Sequence, residues 1–138
     1  MSTIDELRKV RLAKLKSLKD SGVLAYPAKT KRTHSIQEAL DAFSKLSRSK
    51  KSIVLAGRIM ALRGHGGATF LDIYDGSDKM DARRPSTSKI QALIKEDKLG
   101  PKGYKFFIDH FDIGDFVEIK GVLIETKRGE ETIQAEDY

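Results

Sequence analysis

Residues 54–73 read VLAGRIMALRGHGGATFLDI. A central pair of glycines separates two apolar runs, which is typical of two strands joined by a tight turn. In the second run, the period of a strand places Leu71 and Ile73 on one side and Phe70 on the other, together with Asp72. The stretch therefore predicts a half-buried β-hairpin that carries one large ring on its polar side.

Phe70 is the residue of this hairpin that points most directly to a function. Arg58 and Arg63 are expected beside it on the first strand. An aromatic ring next to cations is the kind of surface on which single-stranded bases stack. A half-buried core aromatic would give the same pattern, and the hairpin alone does not separate the two interpretations.

The composition indicates a small domain with a heavily charged surface. The chain has 138 residues, of which 39% are hydrophobic and 33% are charged. It has no apolar run of about 18 residues that could span a membrane, and its first residues lack the apolar segment of a secretory signal. It has no cysteine, and its three histidines show no metal-ligand spacing. We therefore expect a cytoplasmic protein without disulfides, a metal site or a membrane partner.

Positive charge is concentrated in the first third of the chain. Residues 1–51 contain 13 Lys and Arg against five Asp and Glu, whereas residues 52–138 contain 13 against 15. This asymmetry suits a polyanionic partner, because each phosphate that a cation neutralises releases counterions. A basic, solvated surface without any partner would have the same composition.

The first third predicts two helices. Residues 4–20 have helical periodicity, with a capping box formed by Thr3 and Glu6 and a natural stop at Gly22. The apolar stripe that must dock onto another surface consists of Ile4, Leu7, Leu15 and Leu18. The basic stripe beside it consists of Arg8, Lys9, Lys16 and Lys19.

An irregular segment over residues 23–35 separates the two helices. Its cations are Lys29, Lys31 and Arg32. Ser35 then caps the second helix, which is predicted to run to about Phe43. Residues 47–52 indicate a polar linker.

The rest of the chain predicts a barrel. Strands are predicted over residues 53–63, 67–74, 88–94, 116–126 and 131–136, and a helix over residues 101–110. Three strands, a helix and two strands is the order of an OB-fold, a small closed Greek-key barrel, and Gly57 and Gly121 can supply its strong bends. We therefore expect a mainly β, overall α+β chain, with a five-stranded OB-fold over residues 52–138 preceded by a basic helical extension over residues 1–51.

Several motifs are similar to those of one known family. They include Tyr26-Pro27, Arg32-Thr33-His34-Ser35, Ala56-Gly57-Arg58-Ile59-Met60, Lys89-Ile90-Gln91 and Asp112-Ile113-Gly114-Asp115. Their order and spacing resemble the N-terminal, anticodon-binding part of class II lysyl-tRNA synthetases. The leading basic helix and the Arg-Thr-His segment favour the lysyl enzymes over the related aspartyl and asparaginyl enzymes.

The resemblance implies tRNA binding in translation, through the uridine-rich anticodon of a lysine tRNA. It implies that Phe70 stacks on the central uridine and that Arg63 bonds to or stacks on an anticodon base. It also implies that Gln91 and Glu130 read uridine edges, since an amide can donate and accept there and a carboxylate accepts from the imino N–H. The tRNA backbone contacts would come from Arg8, Lys9, Lys16, Lys19, Lys29, Lys31 and Arg32. Arg58 is expected to support the barrel wall instead.

The chain departs from the family in two ways. Residues 78–88 are inserted before the third strand, and their composition suggests a mobile hairpin loop. Without that insertion, Asp81 would occupy the position of the family's glutamine in place of Gln91. The chain also stops where the family continues into a catalytic domain that uses ATP and magnesium. We therefore expect no cofactor in this chain and no aminoacylation by it alone.

Other possibilities stay open at this point. The resemblance implies a homodimeric parent enzyme, while the isolated part could be a monomer. One alternative function is a free-standing OB-fold protein that binds single strands without anticodon specificity. Another is a protein-docking or dimerisation module. A catalytic function is disfavoured, because the sequence has no nucleophile–base set and no phosphate-binding glycine loop.

Overall fold

Five strands close into a barrel in a computed structural model that describes residues 3–77 and 88–138. The strands are β1 (Ile53–His65), β2 (Ala68–Tyr74), β3 (Lys89–Lys95), β4 (Phe116–Glu125) and β5 (Glu131–Asp137), with helix α4 (Glu96–His110) between β3 and β4. Their order around the barrel is β1-β2-β3-β5-β4, in which only β3 and β5 pair in parallel. The predicted OB-fold plan is confirmed, while the loop predicted for the insertion lies, over residues 78–87, outside the described residues.

The register of β3 gives the position of Gln91. Lys89 begins the strand, and Gln91 lies opposite Asp72 of β2. Gln91 therefore lies on the third strand, as predicted, while Asp81 falls outside the described residues.

Strand alternation builds the core. In β2, buried and half-buried residues alternate along the whole strand, and Leu71 and Ile73 are completely buried. Phe107 of α4 is also buried at one end of the barrel, where its ring stacks on Phe111 at a centroid distance of 4.6 Å. Burying each such side chain contributes about 1.5–3 kcal/mol to folding.

Two glycines permit the close approach that the barrel needs. A Cβ atom on Gly57 would lie 2.8 Å from the carbonyl oxygen of Tyr74, and one on Gly121 would clash with the carbonyl of Gln134. Gly121 also lies at a register shift between β4 and β5. Both residues therefore allow neighbouring strands to approach closely, and Gly121 lies at an irregularity of the kind that a bend in a strand produces.

Three helices precede the barrel: α1 (Ile4–Asp20), α2 (Ile36–Asp41) and α3 (Phe43–Ser49). The predicted capping boxes at Thr3 and Ser35 are both present. The predicted linker over residues 47–52 is wrong, because α3 continues to Ser49. Phe43 and Leu46 lie three residues apart and both pack on the core, so burial outweighs the weak helix propensity of the surrounding serines.

Helix α4 begins five residues before its predicted start. A first turn at Glu96 is separated from the main helix by a kink at Gly100, whose φ is +79°. Pro101 follows directly, a residue that suits the first position of a helix. The predicted start at residue 101 thus corresponds to the second segment of α4.

Helix α1 docks by a polar flank. Lys14 Nζ lies 2.7 Å from Asp112, and Arg11 Nη2 lies 2.6 Å from Asp115, so the two carboxylates before β4 fix the rotation of the helix. The predicted docking of the apolar stripe is therefore only partly correct: Leu15 and Leu18 are half-buried, whereas Ile4 and Leu7 remain exposed. Of the helices in the described part of the chain, none is long and apolar enough to cross a membrane.

Candidate nucleic-acid interface

The four residues predicted to contact bases lie together on the outer side of the barrel. Arg63 of β1 lies opposite Phe70 of β2. Gln91 of β3 contacts Arg63, and Glu130 occupies the turn that leads into β5. Two further residues bond to members of this group, and the six together are called the outer patch: Arg63, Phe70, Asp72, Gln91, Glu130 and Thr132.

Phe70 lies on the outer side of its strand. Its neighbours Leu71 and Ile73 point into the barrel and are completely buried, whereas Phe70 is half-buried. The structure thus supports the outward interpretation of the alternation and not the core one. An outward, half-buried ring has the position that a base-stacking platform requires.

Asp72 holds the Arg63 guanidinium by two contacts. Arg63 Nη1 and Nη2 lie 3.3 and 3.1 Å from the two oxygens of the carboxylate. These hydrogen bonds raise the pKa of Arg63 above its already high ordinary value, to which the nearby Glu130 charge also contributes. Arg63 therefore stays charged and has a fixed direction on an otherwise open surface.

The Gln91 amide is held between two partners. Its Oε1 accepts from Arg63 Nη2 at 3.3 Å, and its Nε2 donates to Thr132 Oγ1 at 3.1 Å. The Thr132 hydroxyl donates in turn to the backbone oxygen of Glu130 at 3.2 Å. Hydrogen bonds thus connect Arg63 to Gln91 directly, and Gln91 to Glu130 through Thr132.

The predicted backbone-contacting cations are all exposed. They are Arg8, Lys9, Lys16 and Lys19 on α1, and Lys29, Lys31 and Arg32 in the segment that follows it. Within residues 3–77 and 88–138, none of the seven forms an ion pair. Their charges are therefore available to a polyanion.

Glu118 of β4 fixes the second group of cations against the barrel. One oxygen of its carboxylate accepts from the Thr30 hydroxyl at 2.6 Å and from the backbone N–H of Lys31 at 2.8 Å. These two bonds lower the pKa of Glu118 below its ordinary value. The backbone that carries the cations of residues 29–32 therefore has a defined position relative to the strands.

Arg58 has a structural environment, as expected. Its Nε donates to the backbone oxygen of Gly114 at 3.0 Å, and its guanidinium lies 5.5 Å from the centroid of the Phe116 ring. Phe116 itself is 75% exposed. Arg58 thus links β1 to the turn before β4 and lies outside the outer patch.

The sequence alone identified only part of what surrounds the predicted residues. Strand alternation places Asp72 on the same side as Phe70, but its contacts with Arg63 were not predicted. Thr132 was missed, because it lies 41 residues from Gln91 and no local pattern marks it.

Comparison with known proteins agrees with the fold. Residues 53–138 match the model of the tRNA anticodon family, described as an OB-fold nucleic acid binding domain. The chain belongs to this OB-fold family. The resemblance inferred from the motifs is confirmed by similar proteins named lysine–tRNA ligase.

Three of these relatives come from Carboxydothermus hydrogenoformans, Pelotomaculum thermopropionicum and Thermosipho africanus. They are 41%, 36% and 37% identical over 94%, 98% and 94% of this OB-fold chain, respectively. The matches cover 24%, 24% and 25% of the relatives themselves. The chain thus spans about a quarter of the length of the curated relatives it matches.

Proposed function

We propose that this chain binds the anticodon loop of a lysine tRNA, as the anticodon-binding part of a lysine–tRNA ligase. The observation that carries the proposal is the outer patch, in which Arg63, Gln91 and Glu130 are connected by hydrogen bonds and Phe70 lies opposite Arg63. The OB-fold family supports nucleic acid as the ligand, and the name of the relatives supports a lysine tRNA.

The four predicted base-contacting side chains contribute differently to recognition of the bases. Phe70 stacks on the central uridine, and Arg63 bonds to or stacks on an anticodon base. Gln91 and Glu130 bond to uridine edges, which stacking alone would not distinguish from other bases. Specificity therefore depends on Gln91 and Glu130, whereas Phe70 contributes mainly affinity.

The seven exposed cations hold the phosphates of the anticodon stem and loop. Those on α1 are positioned by the contacts of Lys14 and Arg11 with the turn before β4. Those of residues 29–32 are positioned by Glu118. Phosphate contacts of this kind add affinity without reading sequence.

Charging of the tRNA belongs to the remainder of the proposed ligase. There, ATP, magnesium and lysine would be bound, in an enzyme that we expect to be a homodimer. The role of this chain is to select the tRNA by its anticodon.

Competition binding tests the proposal. A lysine anticodon stem-loop should displace a labelled copy of itself far better than an oligo-dT of similar length does. Equal displacement would instead indicate a protein that binds single strands without anticodon specificity. The affinity should also fall steeply as salt rises, and an affinity independent of salt would contradict the proposed phosphate contacts.

A further inference from the structure

The hydrogen bonds that lead from Arg63 through Gln91 and Thr132 to Glu130 all run in one direction. A guanidinium has no acceptor, so the amide atom of Gln91 that faces Arg63 at 3.3 Å must be the oxygen. The amide nitrogen then faces Thr132 Oγ1 at 3.1 Å. The Thr132 hydroxyl uses its own hydrogen on the Glu130 carbonyl, which leaves its lone pairs to accept from Gln91.

The acceptor at the end of this chain is itself fixed. The Glu130 carbonyl also accepts from the backbone N–H of Thr126 at 3.0 Å, across the β4–β5 turn. Thr132 is completely buried, so its hydroxyl has no access to water as an alternative partner. The orientation of Thr132 therefore follows from the hairpin that carries Glu130.

Amide orientation matters because uridine and cytidine present opposite edges. Uridine offers an N–H donor at N3 beside the O4 acceptor, whereas cytidine offers an acceptor at N3 beside an amino donor. A glutamine amide can match either base, but each match requires the amide to be turned by about 180° relative to the other. An amide that turns freely would therefore not distinguish the two bases.

We propose that Thr132 is a specificity-determining positioning residue, whose hydroxyl fixes the Gln91 amide in one orientation and so sets the preference for uridine over cytidine. The inference rests on the proposed function of the outer patch. Arg63 supplies the second constraint, from the oxygen side of the amide. Thr132 itself needs no contact with the RNA.

The test uses three variants and two kinds of RNA. Thr132→Val removes the hydroxyl with little change of shape, whereas Thr132→Ser keeps it. Thr69→Val is the control: it removes a different buried threonine hydroxyl, which lies 2.9 Å from the Tyr104 hydroxyl. Dissociation constants are measured for the lysine stem-loop and for loops with cytidine in place of each uridine. Thermal unfolding of each variant verifies the fold.

Thr132→Val should lower the uridine-over-cytidine ratio at one anticodon position by between about twofold and tenfold, the range of a single net hydrogen bond. Thr132→Ser and Thr69→Val should retain the wild-type ratio. An unchanged ratio in Thr132→Val, or an equal loss in Thr69→Val, would overturn the inference.

Nuclear magnetic resonance of the free protein separates this inference from the proposed function. In the wild type, the side-chain amide hydrogens of Gln91 should show a nuclear Overhauser contact to the Thr132 methyl group and should exchange slowly with water. The slow exchange should be lost in Thr132→Val. A wild type that showed neither the contact nor the slow exchange would refute the fixed amide, whatever RNA is bound. If both are present but the wild type shows no uridine preference, the proposed function fails and the specificity role of Thr132 fails with it.

Discussion

Phe70 combines a feature that the sequence predicts with one that only the fold supplies. Strand alternation puts its ring on the side opposite Leu71 and Ile73, and the complete burial of those two residues in the structure shows that the ring faces outward. The neighbours that give the ring a chemical context come from elsewhere in the chain: Arg63 through the β1–β2 register, and Gln91 through β3. A single strand therefore predicts the side on which the ring lies, but neither its outward position nor the site around it.

Replacement of Phe70 by alanine tests the stacking role. Phe70→Ala should weaken binding of the lysine stem-loop by about 1–3 kcal/mol, the range for loss of one base–aromatic stack. Phe116→Ala is the matched control, since it removes an exposed ring from another part of the barrel surface. Equal effects of the two variants, measured by fluorescence titration, would contradict a specific platform at Phe70.

Glu130 should affect discrimination more than affinity. Its carboxylate can only accept hydrogen bonds, whereas the amide of Glu130→Gln can also donate and so tolerates cytidine. Titration of the variant with uridine- and cytidine-containing loops should give a smaller ratio of dissociation constants than the wild type. Glu125→Gln, at an exposed position of the same hairpin, is the control and should leave the ratio unchanged. A uniform loss across all loops would argue against base reading by Glu130.

Among the helices, the starts that depend on neighbouring residues could be predicted from the sequence, whereas features that depend on packing could not. The capping boxes at Thr3 and Ser35 gave the starts of α1 and α2, because the pattern requires only residues three positions apart. Helix α3 had no such signal: its sequence is rich in serine, and packing of Phe43 and Leu46 on the barrel stabilises it. The rotation of α1 was also beyond local reasoning, since it depends on Asp112 and Asp115, about 100 residues away.

The attachment of residues 29–32 should depend on pH. The pKa of Glu118 is lower in the folded chain than its ordinary value of 4.5. Its hydrogen bonds therefore stabilise the fold fully above about pH 4.5, and this contribution is lost as the pH falls through the lower folded-state pKa. The backbone N–H resonance of Lys31 should report the change, since it donates directly to the carboxylate.

Glu118→Gln provides the control for this titration. The neutral amide cannot lose a charge, so the step in the Lys31 resonance at acid pH should disappear. The carboxylate of Glu38, whose pKa is also lowered, accepts from the backbone N–H of Ser35 and not from Lys31. A step at Lys31 that persisted in Glu118→Gln would show that another group is responsible.

Docking of α1 should be separable from folding of the barrel. Asp112→Asn removes the carboxylate that pairs with Lys14 and Arg11, and partly exposed pairs of this kind contribute about 0–1 kcal/mol each. Hydrogen exchange should therefore increase in α1 and stay unchanged in the strands. If α1 makes only phosphate contacts, as we propose, stem-loop affinity should fall by the same factor for every anticodon.

Asp109→Asn is the comparison for that experiment. It breaks an exposed pair with Lys105 within α4 and leaves the contacts of α1 in place. If both variants raised exchange in α1 equally, the pair with Asp112 would not be what holds the helix.

In the molecule as a whole, the excess of positive charge and the predicted base-contacting side chains lie in different parts of the chain. The excess of positive charge lies in residues 1–51, whereas the outer patch sets one cation, Arg63, beside two carboxylates, those of Asp72 and Glu130. A site without net positive charge attracts RNA only weakly, so under the proposed function the cations of residues 1–51 would bring the RNA near and the patch would discriminate among its bases. The uneven distribution of charge along the chain was visible in the sequence, but the pairing of Arg63 with these carboxylates required the fold.

This division predicts where the salt dependence of binding originates. The double variant Arg8→Gln/Lys9→Gln removes two exposed charges from α1, and Lys98→Gln/Lys102→Gln removes two exposed charges from α4. If α1 contacts the phosphates of the stem, the first double variant should lower the magnitude of the slope of log affinity against log salt by roughly 2, whereas the second should leave it nearly unchanged. Neither should alter the preference for uridine, since both lie outside the outer patch. Equal changes of slope would mean that the RNA responds to net charge alone and that α1 has no particular part in positioning it.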